Sequence, residues 1–194
     1  MTRPRTAVLV CLLALGLAGG AYFVHRTWFS LPKRFAAVEE GRLYRSGTLQ
    51  PGQLERLKRD YHVGTVLSLC NPDAPESAAE RREAERLGIR WLNVPLTGDG
   101  ASTPDDRDRI RQALLADTDE PMLVHCSAGV NRTGLAVGMY RLYRQGWTLE
   151  QVMREMKQFD FEDEPHHENL RQALAAESAA AERRRASATQ PASP

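Results

Sequence analysis

The chain carries no excess of either charge. Its 26 lysines and arginines nearly cancel 25 aspartates and glutamates, which leaves no global basic field of the kind nucleic-acid binding exploits. Metal-ligand spacing is also missing. Neither Cys-x2-Cys nor His-x3-His occurs, so the doublet His166-His167, within the acidic stretch 159–168, reads as a solvated turn rather than a metal site. No cofactor is expected. Cysteine is scarce, with three in 194 residues, and Cys11 lies in an apolar leader away from Cys70 and Cys126. The length suits one domain of ordinary size with a leader and a tail.

Uncharged apolar sequence is confined to one place, residues 7–24, with a short basic start at 1–6 and His25-Arg26 after it. The stretch is just long enough to cross a bilayer, and it also resembles the core of an export signal. An uncleaved membrane helix is the expectation, with a linker over 25–40, a folded domain over 41–180 and a disordered tail over 181–194. The basic residues on both flanks leave the orientation open.

The centre of the domain is His125-Cys126-Ser127-Ala128-Gly129-Val130-Asn131-Arg132-Thr133-Gly134. Met122 to His125 reads as a buried strand, and the sequence from Arg132 to Gln145 as a helix apolar on nearly every side. The small residues between them therefore wrap a helix N-terminus. Backbone N–H groups there lack intrahelical partners, and with the helix dipole they make a cradle for a dianion such as phosphate. The same field favours Cys126 as a thiolate. Arg132 brings a planar fork able to chelate two phosphoryl oxygens. Thr133 can donate its hydroxyl to the sulfur. The phosphate-binding set is thus Ser127, Ala128, Gly129, Val130, Asn131 and Arg132.

These residues resemble the Cys-x5-Arg-Ser/Thr signature of cysteine-dependent tyrosine phosphatases, in the branch close to dual-specificity enzymes. Asn131-Arg132-Thr133-Gly134-Leu135, Met139-Tyr140-Arg141 and Gln145-Gly146-Trp147 are similar to small bacterial phosphatases of the cell envelope, over about 41–161. The resemblance implies an α/β fold with a mainly parallel central sheet flanked by helices. It implies phosphate ester hydrolysis through a phosphocysteine, a phosphorylated protein as partner, and a membrane-anchored or exported protein with a periplasmic domain. It also offers Cys70, at the end of the strand-like run 63–69, as a redox partner of Cys126, although the residues themselves favour plain packing. It brings Tyr44-Arg45-Ser46 near the phosphate loop, where Arg45 by its own chemistry reads as an exposed strand cap.

A general acid belongs in the irregular segment Pro95 to Ala101. Asp99, between two glycines, is assigned that role. Asp105 and Asp106 compete, but they follow Thr103-Pro104 in a helix-start pattern that already employs them. Two other functions stay open. An inositol phosphate or phosphoinositide phosphatase would use the same machinery, although residues 127–131 carry no Lys, Arg or His for additional phosphates. A phosphate-binding module without turnover would keep Cys126 and Arg132 without a working acid.

Overall fold

The computed structural model describes residues 8, 11–17, 19–20 and 30–189. The order of elements is β1 (Ala36–Glu39), β2 (Leu43–Ser46), α1 (Gln53–Tyr61), β3 (Thr65–Ser68), α2 (Pro75–Leu87), β4 (Arg90–Asn93), α3 (Pro104–Leu115), β5 (Met122–His125), α4 (Asn131–Arg144), α5 (Leu149–Gln158) and α6 (Glu168–Thr189). The strands form one sheet in the order β1-β2-β5-β3-β4. The pairs β2-β5, β5-β3 and β3-β4 are parallel, and only the edge strand β1 runs antiparallel, so the sheet is mixed with a parallel majority.

Successive strand residues divide between two cores, as a pleated strand requires. Tyr44, Val66 and Leu123 face one cluster with Leu54, Leu57, Ala84 and Ile89. Leu43, Leu67 and Val124 face the other, under α3 to α6. Burial on both faces is why β3 and β5 read as unbroken apolar runs. Helix α4 is the hub of the second layer, packing against α3, α5 and α6. Gly138 permits this closeness, since a Cβ there would meet Val152 Cγ1 at 2.7 Å.

Ser46, His125, Ser68 and Asn93 are paired in one row across the parallel strands. The segments that follow them therefore leave the sheet at one edge, where α/β folds place their ligands. Local caps match the sequence closely. Thr103 caps α3 and forms a reciprocal capping box with Asp106, Thr148 does the same with Gln151, and Gly88 ends α2 with φ 66°.

The ends of the chain differ from expectation. Ala36–Glu39, within the expected linker, pairs with β2 as β1. Helix α6 continues to Thr189, with Ala181 1% exposed, because its alanines pack on the second core instead of opening into a tail at 181. The expected membrane helix over 7–24 falls partly outside the described residues. Where described, it is helical with exposed leucines, and among the described residues no helix is long and apolar enough to cross a membrane.

Candidate active site

Cys126 is the first residue after β5 and is 2% exposed. Its loop is shaped from outside, by donors that take its carbonyl oxygens. Ser127 O accepts from Thr48 N at 3.0 Å and Thr48 Oγ1 at 3.1 Å; Ala128 O accepts from Arg34 Nη1 at 2.8 Å; Gly129 O accepts from Arg45 Nη2 at 2.8 Å. In a trans peptide the following N–H points opposite to the carbonyl. Carbonyls held outward therefore turn the N–H groups of Ala128, Gly129 and Val130 inward, and Gly129 N donates to Cys126 Sγ at 3.2 Å. Gly129 has φ 75°, and an added Cβ would lie 2.7 Å from Gly47 N. Only glycine fits there without displacing backbone.

Arg132, in the first turn of α4, closes the cradle. Its Nη1 donates to Leu69 O at 3.2 Å and Leu96 O at 3.4 Å, and Nη2 donates to Ser127 Oγ at 3.1 Å. Nε is buried with no acceptor among the described residues. The edge formed by Nε and Nη2 thus meets only a hydroxyl, which a phosphoryl oxygen can replace. Thr133 is fully buried, and its hydroxyl donates to Ser46 O at 3.5 Å. The hydrogen bond to sulfur described here is the Gly129 amide's, because the first turn of α4 packs Thr133 against the end of β2.

Asn131 Nδ2 lies 2.9 Å from His167 Nε2, and His167 Nδ1 lies 2.8 Å from Glu162 O. Since Glu162 O can only accept, His167 donates from Nδ1 and accepts at Nε2. His167 is 7% exposed, which corrects the expectation of a solvated doublet; His166 is the exposed member. A histidine directly ahead of a helix whose apolar residues, Leu170, Ala173 and Leu174, enter the second core was the available signal.

Arg45 is the second correction. It is 1% exposed, its guanidinium lies 3.6 Å over the Phe159 ring, and Nε and Nη1 are buried without acceptors among the described residues. Burial pulls it down to about 10, partly opposed by the charges of Glu155 and Cys126. It stays a cation at neutral pH. An arginine flanked by buried Tyr44 and Ser46 in an inner strand cannot reach solvent as a cap. Its place on β2, a strand covered on both faces, is what buries it.

Asp99 sits in the loop before α3. Its Oδ1 accepts from Thr97 Oγ1 at 2.5 Å and Ala101 N at 3.1 Å, and Oδ2 accepts from Asn169 Nδ2 at 3.0 Å. The Thr97 hydroxyl and then the Ala101 amide hold this carboxyl below its ordinary value. The loop borders the cradle, for Leu96 O meets Arg132 and a Cβ on Gly100 would lie 3.8 Å from the Asn131 carbonyl carbon. Asp106 is engaged with Thr103, and Asp105 is exposed in the first turn of α3. Asn169 was not anticipated, since nothing in its local sequence distinguishes it.

Cys70 is half-buried, with Sγ 3.7 Å from Ser127 Oγ, and burial pushes its thiol up while Arg132 pulls it down. All three cysteines are free thiols. Behind the loop, His125 Nε2 lies 3.0 Å from Glu80 Oε1, which also accepts from Trp91 Nε1 at 2.8 Å. These contacts fix the end of β5 from which Cys126 emerges.

The profile of the tyrosine phosphatase family matches residues 30–190. The dual specificity protein phosphatase TpbA of Pseudomonas aeruginosa is 34% identical over 122 residues, 63% of this chain and 53% of TpbA. Inositol diphosphatase DSP3 of Arabidopsis thaliana is 32% identical over 127 residues, covering 64% of this chain and 61% of DSP3. The chain thus spans little more than half the length of these curated relatives. Among solved structures, TpbA aligns with TM-score 0.57 and 28% identity over 73% of this chain and 87% of that one. The core catalytic domain of the PP-IP phosphatase SIW14 from S. cerevisiae, in complex with citrate, aligns with TM-score 0.65 over 81% and 93%, and at 24% identity this shows a shared fold. With the family profile spanning the whole domain that holds Cys126 and Arg132, the chain belongs to the tyrosine phosphatase family.

Proposed function

We propose that the protein hydrolyses phosphotyrosine on proteins, with phosphoserine and phosphothreonine as further substrates, through a phosphocysteine and without a metal ion. The observation that carries this reading is the inward set of loop amides around Cys126 Sγ, with the Nε–Nη2 edge of Arg132, met only by the Ser127 hydroxyl, beside it. These groups supply both the nucleophile and the positive charge that phosphoryl transfer demands.

Cys126 thiolate attacks phosphorus in line. The S–P bond forms as the ester P–O bond breaks, and Asp99 gives its proton to the departing oxygen. Asp99, now a carboxylate, takes a proton from water as that water attacks phosphorus. The S–P bond then breaks, returning the thiolate and releasing phosphate. Loop amides and Arg132 hold the equatorial oxygens throughout. For its place in the cell, the apolar stretch 7–24 and the resemblance to envelope phosphatases support a tethered, periplasmic domain. Protease protection in intact spheroplasts tests that side.

The test of the chemistry is hydrolysis of an aryl phosphate with reductant and chelator present, beside Cys126→Ser. Turnover that survives chelation and vanishes in the variant supports the reading; unchanged turnover in the variant ends it. Asp99→Ala separates an enzyme from a binding module, which would lose nothing.

A second reading rests on the similarity to DSP3, an inositol diphosphatase by name. The same cradle would take a diphosphoinositol phosphate. Against it, residues 127–131 bring no basic side chain for additional phosphates. Parallel assays on a phosphotyrosine peptide and a diphosphoinositol polyphosphate decide between them.

A further inference from the structure

A groove of about 700 Å³ opens beside the phosphate loop, and of its lining residues only Thr48 and Glu80 take part in the contacts described above. One wall is the segment after β2 with the start of α1, and the other is the face of α2. Both walls start at the carboxyl ends of parallel strands, at the edge that carries Cys126. Thr48, at one end of the groove, is bonded through N and Oγ1 to Ser127 O. The groove therefore continues from the rim of the cradle.

Its chemistry is mixed in a particular way. Leu49, Pro51, Leu54 and Ala79 give it an apolar lining. Its ionisable residues are Glu55, Glu76, Glu80, Glu83 and a single arginine, Arg86, so the lining carries four acids against one base. Arg86 is already bonded to Glu83 at 2.8 Å and Glu55 at 3.3 Å, and Glu80 to His125 and Trp91. Glu76 is exposed and has no cationic partner among the described residues. An anionic ligand would meet repulsion here, whereas a polypeptide with an apolar side chain and a cation would find both complements.

We propose that this groove seats the stretch of polypeptide next to the phosphorylated residue of a protein substrate, and that it selects segments pairing an apolar residue with lysine or arginine. The proposal rests on the protein phosphatase reading and narrows it to phosphoproteins with basic, partly apolar flanks. A free inositol polyphosphate has nothing to place in this groove.

The test uses the full chain and three substrates: an aryl phosphate too small to reach the groove, a phosphotyrosine peptide flanked by Leu and Lys, and the same peptide with Glu for Lys. The expected result is a preference of about tenfold in kcat/KM for the basic peptide, as one partly exposed contact with Glu76, attractive for Lys and repulsive for Glu, would give, carried by KM and weakened by salt. Glu76→Lys should erase that preference while leaving aryl phosphate turnover within about twofold. Equal rates on both peptides, or a preference unchanged in Glu76→Lys, overturn the groove assignment alone. Aryl phosphate turnover with neither peptide cleaved overturns the protein phosphatase reading and the groove with it.

Discussion

Asn169 Nδ2 donates to Asp99 Oδ2 at 3.0 Å and ties the loop before α3 to a helix seventy residues further along the chain. With Thr97 and Ala101 on the other oxygen, Asp99 favours its charged form. The proposed mechanism needs Asp99 protonated, and a carboxyl held below its ordinary value places the optimum of kcat/KM on the acid side of neutrality. Asn169→Ala removes one lowering contact, so the alkaline limb of the bell-shaped profile should move to higher pH while the acid limb stays. Superimposable profiles would show that Asp99 is not the acid.

Arg45 gives a prediction with opposite signs. A buried guanidinium with one hydrogen bond and two unpartnered nitrogens burdens the fold. Arg45→Met keeps the contact with Phe159 and removes the charge, so thermal stability should hold or rise. Activity should fall about a hundredfold, because Gly129 O loses the donor that turns it outward. A parallel loss of stability and activity would make Arg45 a plain packing residue.

Gly129→Ala tests the curl of the loop itself. The new methyl would meet Ser46 and Gly47 backbone within 2.8 Å at a residue with φ 75°. Backbone cannot yield as a side-chain tip can, so a destabilisation of about 1–3 kcal/mol and collapse of turnover are expected. Chemical denaturation and aryl phosphate assays read the two effects.

The two adjacent histidines should behave differently. His167→Ala leaves the Asn131 side-chain amide without its acceptor and Glu162 O with the Glu164 amide alone, and should cost about 1–2 kcal/mol, with reduced kcat/KM. His166→Ala, at an exposed position, should change neither. Equal effects would contradict the bridge from His167 to Asn131.

What could be read from the sequence was whatever chain neighbours determine together. The loop from Cys126 to Val130 between strand and helix, the cap at Thr103 and the glycine end of α2 are each set by chain neighbours, and each has the conformation the local chemistry implies. Arg45, His167 and Asn169 were missed because their partners, Gly129, Asn131 and Asp99, lie 84, 36 and 70 positions away. Strand β1 escaped for a related reason. It is a short edge strand defined by pairing with β2 rather than by an apolar run of its own.

Arg34 reaches in two directions, to Ala128 O in the phosphate loop and to Asp160 at 2.6 Å after α5, while Lys33 O accepts from Gly47 N at 2.7 Å. The turn ahead of β1 thus braces the phosphate loop from outside, at Ala128 and at the neighbouring Gly47. A chain shortened to begin at the first strand would keep the core under α3 to α6, lose Phe35 from beside Tyr44 and Tyr61 in the other, and lose the donor that holds Ala128 O. The cut would thus reach the phosphate loop through Arg34 and Lys33, two residues that lie outside both the loop and the sheet.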